Sequence, residues 1–178
     1  FKTLAELLGF ARANPDKLNL GTINIGSTQN LAAQLFKTTA GIRTQIVPFN
    51  GNGAVLTVLR SGQIDAAVVG LSSMMSQIRA GAVRALAVMG EKRAPYLPQV
   101  PTVRESGGAL ASFNVASWNA LAAPAKTPPA VLQRLNHEVV AALQSPDVIR
   151  SLTEINVQPR PGTPAQLAEL LGAEIRRW

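Results

Sequence analysis

Cysteine is absent from the 178-residue sequence, which excludes disulfides, thiolate chemistry and cysteine-ligated metals. Such a chain fits any compartment and tolerates an oxidising one. Histidine is nearly absent as well. His137 is the only one, and it lies in "RLNHEVVAAL" among helix-forming residues, where a surface position is expected. A histidine-built metal site or a nucleophilic triad therefore has no partners to draw on. Aromatic residues make up 4%, too few for a base-stacking platform. No apolar run approaches the roughly 18 residues that a bilayer span requires. The opening "FKTLAELLGF" carries charges and is followed by no cleavage pattern, so it does not read as a signal peptide. A start without methionine, directly in a helical pattern, suggests a processed or truncated product.

What is present is apolar and basic. Apolar residues account for 47% and charged residues for 15%, the balance of a globular chain with a sizeable core, either one medium domain or two small lobes. Lys and Arg number 17 against 10 Asp and Glu, a net charge of +7. The basic residues are spread out, from Lys2, Arg12, Lys17, Lys37, Arg43, Arg60, Arg79 and Arg84 onward. Their densest groups are "EKR" at 91–93 and the terminal "IRRW". With no recognised nucleic-acid motif, no nucleic-acid partner is expected. Attraction of small anions is the more economical use of this charge.

Apolar periodicity alternates between helix and strand. "TLAELLGFARAN" sets Leu4, Leu7, Leu8 and Ala11 on one helical face. "LNLGTIN" reads as a strand, "STQNLAAQLFKTTAG" as a helix closed by Gly41, and "RTQIVPF" as a second strand. "GAVLTVLRSG" is a short helix ending at Gly62. "IDAAVVG" is a third strand and "SSMMSQIRAG" a helix with Ser72 as its cap and Gly81 as its stop. "VRALAVMG" is expected to be a fourth strand. This rhythm predicts an α/β fold with a mainly parallel sheet flanked by helices on both faces. "EKRAPYLPQVPTVRESGG" is an irregular excursion, and "FNVASWNALAAP" resumes as an extended segment. "TPPAVLQRLNHEVVAALQ" is a helix capped by Thr127 with proline in its first turn. "SPDVIRSLTEI" is a short helix with a capping serine, "VQPRPG" a strand or turn, and "TPAQLAELLGAEIRRW" a final amphipathic helix.

In a parallel sheet, ligands bind beyond the carboxyl ends of the strands, where loops lead into helices. Four such loops are legible: "NIGSTQN", "VPFNGNG", "VVGLSS" and "AVMGEKR". In the first, Gly26 allows a tight turn and Ser27 or Thr28 can cap the helix. Alternatively, free N–H groups, the helix dipole and two hydroxyls can together hold a carboxylate or phosphate. In the second, Gly51 and Gly53 can expose N–H groups at a helix start. Neither loop is a nucleotide motif: "VPFNGNG" lacks the lysine of a P-loop, and "GTINIG" lacks the acidic partner of a dinucleotide fingerprint. Asp65 starts a strand at the end opposite these loops, which suits a turn or a structural hydrogen bond. Glu105, Glu138 and Glu154 show no pairing at catalytic spacing, and Ser27 has no evident base. The loops look built to bind rather than to react.

"GSTQNLAAQLF", "VPFNGNGAVLTVLRSGQIDAA", "IRAGAVRALAVMGEKRAPYLPQVPTVRESG" and "SWNALAAPAKTPPAVLQRLN" match, in order and spacing, a known family. The chain resembles the substrate-binding proteins of tripartite tricarboxylate transporters, often called the Bug family, over essentially its whole length. The resemblance implies a periplasmic-binding-protein-like fold of type II, two-lobed in the family. It implies a periplasmic, non-enzymatic protein without cofactor or metal that closes around a small carboxylate (a dicarboxylate, tricarboxylate or acidic amino acid) and delivers it to a membrane permease. Gly26, Ser27, Thr28 and Gln29 match the family's "GSTQ" loop, which faces the ligand carboxylate. Asn50 and Gly51 match a position usually held by lysine, arginine or a similar polar residue followed by glycine. "VVGLSS" matches a segment often reading "FDNLPS", so Val69 and Gly70 stand in place of an acidic and an amide residue and Ser72 in place of proline. The expected ligand-binding residues are thus Gly26, Ser27, Thr28, Gln29, Asn50, Gly51, Gly70 and Ser72.

The resemblance further implies that residues 1–117 form the second-lobe α/β ligand-binding domain. Residues 118–178 are then the C-terminal segment that crosses back to the first lobe. Family members carry more chain before this point, including a glycine-rich loop at the other end of the ligand. The alternative reading is the effector-sensing domain of a transcriptional regulator with a similar fold. A third, an enzyme such as a transferase acting on a phosphorylated substrate, finds no paired acid and base, no metal cluster and no P-loop here.

Overall fold

The computed structural model describes residues 1–155 and 157–178. The chain divides into two compact units, Phe1–Ser117 and Trp118–Trp178.

The first unit opens with α1 (Leu4–Ala13), whose buried residues are Leu4, Leu7, Leu8 and Ala11, the face expected from their spacing. Thr3 starts this helix, its side-chain oxygen accepting from the Glu6 N–H. Then follow β1 (Asn19–Ile23), α2 (Thr28–Ala40), β2 (Gln45–Phe49), α3 (Gly51–Arg60), β3 (Ala66–Val68) and α4 (Leu71–Arg79). The three strands form one parallel sheet in the order β2-β1-β3. As the central strand, β1 is fully buried from Leu20 to Thr22. Gly21 at its middle leaves room for Ile64, whose Cδ1 would lie 2.4 Å from an added Cβ. The strand is thus shaped by what crosses it as well as by its hydrogen bonds.

The core of this unit joins α1, β1 and α2 to Val103, Leu110, Phe113 and Val115. Phe36 of α2 meets Phe113 edge to face, with ring centroids 6.1 Å apart, the arrangement that the aromatic quadrupole favours. A smaller cluster of Met75, Ala94, Leu97 and Val100 fastens α4 to the excursion after it. The excursion is irregular as expected. Two 3₁₀ turns, Val103–Ser106 and Gly108–Leu110, interrupt it, and Thr102 and Glu105 form a capping box at the first. Arg93 reaches the Glu105 carboxylate with two nitrogens and donates a third bond to the Pro98 carbonyl, at 2.8 Å.

The fourth strand expected at "VRALAVMG" does not form. The segment pairs only through a single parallel bridge between Val88 and Thr102. The Val88 N–H donates to the Pro101 carbonyl and the Val103 N–H to the Val88 carbonyl, both at 2.9 Å. Pro101 has no N–H to offer, so the ladder cannot lengthen there. Consequently "AVMGEKR" leads into no helix and is not one of the strand-to-helix turns.

The second unit holds α5 (Pro129–Gln144), α6 (Pro146–Glu154) and α7 (Pro164–Arg177). Each begins with a proline in its first turn, where the missing N–H costs nothing. Thr127 does not cap α5: Pro128 holds that position, and the Thr127 N–H instead closes a turn onto the Pro124 carbonyl. Ser145 occupies the cap of α6 but makes no side-chain bond there. "VQPRPG" has no strand among its described residues. Thr163 and Gln166 form a capping box at α7, and the Asn136 amide donates to the Gly162 carbonyl just before it. His137 is exposed on α5, as expected.

Candidate ligand-binding site

Because all three strands run parallel, their carboxyl ends (Ile23, Phe49 and Val68) lie along one edge of the sheet. Each end is followed closely by a helix N-terminus, so three sets of first-turn N–H groups gather at that edge. Asp65 sits at the opposite edge. Its carboxylate accepts from the Asn19 N–H at 2.7 Å, the structural hydrogen bond expected of it.

At α2, Ser27 is the capping residue. Its hydroxyl oxygen accepts from the Asn30 N–H at 3.1 Å and lies 3.2 Å from the Ile23 carbonyl, to which it donates. The Asn30 side chain, buried, donates to Thr22 Oγ1 at 3.0 Å. The loop is thereby pinned to the last turns of β1 from two sides. The N–H groups of Thr28 and Gln29 have no acceptor among the described residues. They are the donors a helix start leaves over once one cap bond is made.

The other two helices begin with no cap bond at all. Asn50 precedes α3 without a side-chain cap bond, so Gly51, Asn52 and Gly53 keep free N–H groups. Gly70 precedes α4 in the same way, ahead of Leu71, Ser72 and Ser73. Ser72 is not the cap expected from the sequence. It is the second residue of the helix and exposed, while the neighbouring Ser73 hydroxyl donates back to the Gly70 carbonyl at 2.7 Å. Glycine cannot cap with a side chain, so backbone rather than hydroxyl chemistry dominates this corner. The Gln29 side chain reaches toward Gly70: a Cβ added there would lie 3.7 Å from Gln29 Nε2. The first and third loops are therefore neighbours.

Between the first and second loops lies an open depression of about 340 Å³ lined by Asn24, Ile25, Pro48, Phe49 and Asn50. Of the eight residues expected from the sequence, Asn50 lines this depression. Gly26, Ser27, Thr28, Gln29, Gly51, Gly70 and Ser72 are distributed over the three helix starts along the same edge. Asn24, Ile25, Pro48 and Phe49 were not expected. Ile25 carried a usable signal, since it is the one large apolar residue of a polar loop and is 81% exposed. Asn52 was also missed. Its side-chain oxygen is the one buried side-chain polar atom without a partner among the described residues.

No charged residue occurs in 24–29, 48–53 or 69–73. Attraction for an anion from these three loops would come from N–H dipoles and helix ends rather than from charged side chains of their own. Among the described residues no group of histidine and carboxylate side chains could hold a metal ion, and no helix is long and apolar enough to cross a membrane.

The sequence matches the family described as tripartite tricarboxylate transporter family receptor over residues 1–178. The chain belongs to that family. It is 35% identical over 178 residues to a protein of the tcbD-tcbE intergenic region of a Pseudomonas species, covering 100% of this chain and 53% of the relative. Among solved structures, Rpa4515 of R. palustris with adipate superimposes with a TM-score of 0.92 at 34% identity, over 100% of this chain and 59% of that one. MatC from Rhodopseudomonas palustris with bound malate gives a TM-score of 0.83 at 33% identity, over 99% and 60%. The receptor-family chain thus spans about half the length of the curated relatives it matches. Its fold is periplasmic-binding-protein-like, an α/β arrangement with a parallel sheet flanked by helices, as the sequence reading expected.

Proposed function

We propose that this chain supplies one side of the ligand site in a periplasmic solute receptor, which takes up a small carboxylate and delivers it to a membrane permease. The observation that carries the reading is the row of three helix starts with unpaired N–H groups beyond the carboxyl ends of parallel strands. It is supported by family membership and by carboxylates bound in two similar proteins. In this reading Gly26, Ser27, Thr28, Gln29, Asn50, Gly51, Gly70 and Ser72 form the binding edge. Backbone N–H groups hold the carboxylate, the Thr28 hydroxyl and Gln29 amide add donors, and no covalent bond changes. Residues 1–117 form the binding domain, and residues 118–178 return to the other lobe. Contacts made only in the closed form shift an open–closed equilibrium toward closure, which is the signal the permease reads.

Backbone donors are hard to delete, but Thr28 permits it. It is the first residue of α2 and its N–H has no acceptor, and proline is well accepted at such a position. Ser27, at φ −67° and ψ 155°, already has the extended backbone that a residue before proline requires. Thr28→Pro in the complete receptor should therefore leave the melting temperature nearly unchanged. It should weaken carboxylate binding by about 1.5–3 kcal/mol, the worth of a hydrogen bond to a charged group. Thr28→Ala, which removes only the hydroxyl, separates the two donors. Calorimetric titration with succinate, malate, adipate, citrate and glutamate reads both. Unchanged affinity in Thr28→Pro would remove this loop from the site, and no response to any carboxylate would end the reading.

A further inference from the structure

The depression between the first two loops has an apolar wall that carboxylate capture by itself does not require. Ile25, 81% exposed, stands beside Pro48 and Phe49, with Asn24 and Asn50 as the only polar lining residues. Ile25 does not stand alone but shares this lining with Pro48 and Phe49, and an apolar surface of several residues, unlike a single exposed one, marks a place where something binds. Such a surface gains when something apolar covers it. At about 340 Å³ the depression is within the usual range of about 300–1,000 Å³ for small-molecule sites.

We infer that the Ile25–Pro48–Phe49 wall selects carboxylates with an unsubstituted hydrocarbon body over hydroxylated ones of the same length. The inference rests on the carboxylate-receptor reading and deepens it. The two amides of Asn24 and Asn50 make no hydrogen bond of their own among the described residues and suit the oxygens of a carboxylate end. Hydroxyls on the carbons that lie against Ile25 and Phe49 would lose water and meet no partner, a penalty that methylenes escape. Each methylene laid on the wall instead adds about four-fold in affinity, the equivalent of one buried CH₂.

The test is a titration of the complete receptor with succinate, glutarate and adipate, alongside their hydroxylated counterparts malate, 2-hydroxyglutarate and galactarate. Affinity should climb by about four-fold per methylene along the plain series, and every hydroxylated acid should bind more weakly than its plain counterpart. Ile25→Asn should flatten the climb and narrow the gap between the two series, whereas Ile25→Leu should keep both. Since Ile25 is exposed, its variants should fold, and an unchanged melting temperature without ligand checks this. If the acids bind but affinity is flat with length, or the hydroxylated acids bind as well as the plain ones, the apolar-wall inference falls and carboxylate capture stands. A full climb in Ile25→Asn overturns it equally. If no acid of either series binds, it is the receptor reading that fails, and the inference falls with it.

Discussion

Thr22→Val tests how the site's first loop is held. Thr22 is fully buried in β1, and its Oγ1 accepts the Asn30 side-chain N–H at 3.0 Å. Valine keeps the shape and loses the acceptor, so the Asn30 amide is left buried and unpaired. Such a donor costs about 1–3 kcal/mol. Asn30→Leu together with Thr22→Val removes both partners and replaces them with apolar groups of similar shape, a change expected to be near neutral at this pair. The double variant should therefore be more stable than Thr22→Val alone, with a coupling of about 0.5–3 kcal/mol. Urea titration followed by circular dichroism measures both, as a shift of midpoint at unchanged slope. The same pair sets the loop. The Asn30 backbone N–H bonds to the Ser27 hydroxyl while its side chain bonds to β1, so Thr22→Val should also loosen the Thr28 and Gln29 donors and weaken carboxylate binding. If Thr22→Val is as stable as the parent chain, or the double variant costs the sum of the two singles, the pair does not anchor the loop.

Ser27→Ala should cost about 1 kcal/mol through the lost cap of α2 and Ser27→Gly only a few tenths; equal losses by thermal melting would refute the cap. Gly41 ends α2 at φ 61°, so Gly41→Ala should destabilise by about 1–2 kcal/mol, the left-handed penalty of a Cβ, again read by melting. The hydrogen bond from Arg93, with a further one from the Thr102 N–H, holds the Glu105 carboxyl down to about 2 from an ordinary 4.5. A depressed native value means that this contribution is fully present above about 4.5 and disappears as pH falls through about 2. Glu105→Gln should therefore be the less stable form at neutral pH, the gap closing over that window in acid titrations. An NMR midpoint for Glu105 near 4.5 would contradict the pairing.

Much of this was legible in the chain because it depends on near neighbours. The spacing of Leu4, Leu7, Leu8 and Ala11 fixes the buried face of α1 whatever lies opposite, and Gly41, Gly62 and Gly81 each follow the last residues of their helices with a positive φ. The order of strands and helices, with parallel strands leading into glycine-bearing turns, placed four candidate loops at one edge, and three of them are found there. What sequence periodicity could not supply was which partner each backbone group finds. "VRALAVMG" has a strand's pattern, yet its Val88 N–H meets Pro101, whose ring stops the ladder. Ser72 and Thr127 have the chemistry of caps, yet α4 begins at Leu71, two residues earlier than a Ser72 cap would place it, and α5 at Pro129, one residue later than a Thr127 cap would. Ser27, by contrast, caps α2 as its type and place suggested.

The sequence by itself determined the composition of the site: neutral loops rich in glycine and hydroxyls, with no thiolate, no histidine cluster and no paired carboxylates. Only the tertiary structure decided that Asn24, Ile25 and Asn50 share one depression, that Gln29 reaches toward Gly70, and that the Asn52 oxygen is buried without a donor. The physical reason is distance along the chain. Caps, turns and helix faces are settled within four or five residues, while the walls of a site are assembled by strand pairing across 25 residues or more, as between Asn19 and Gln45.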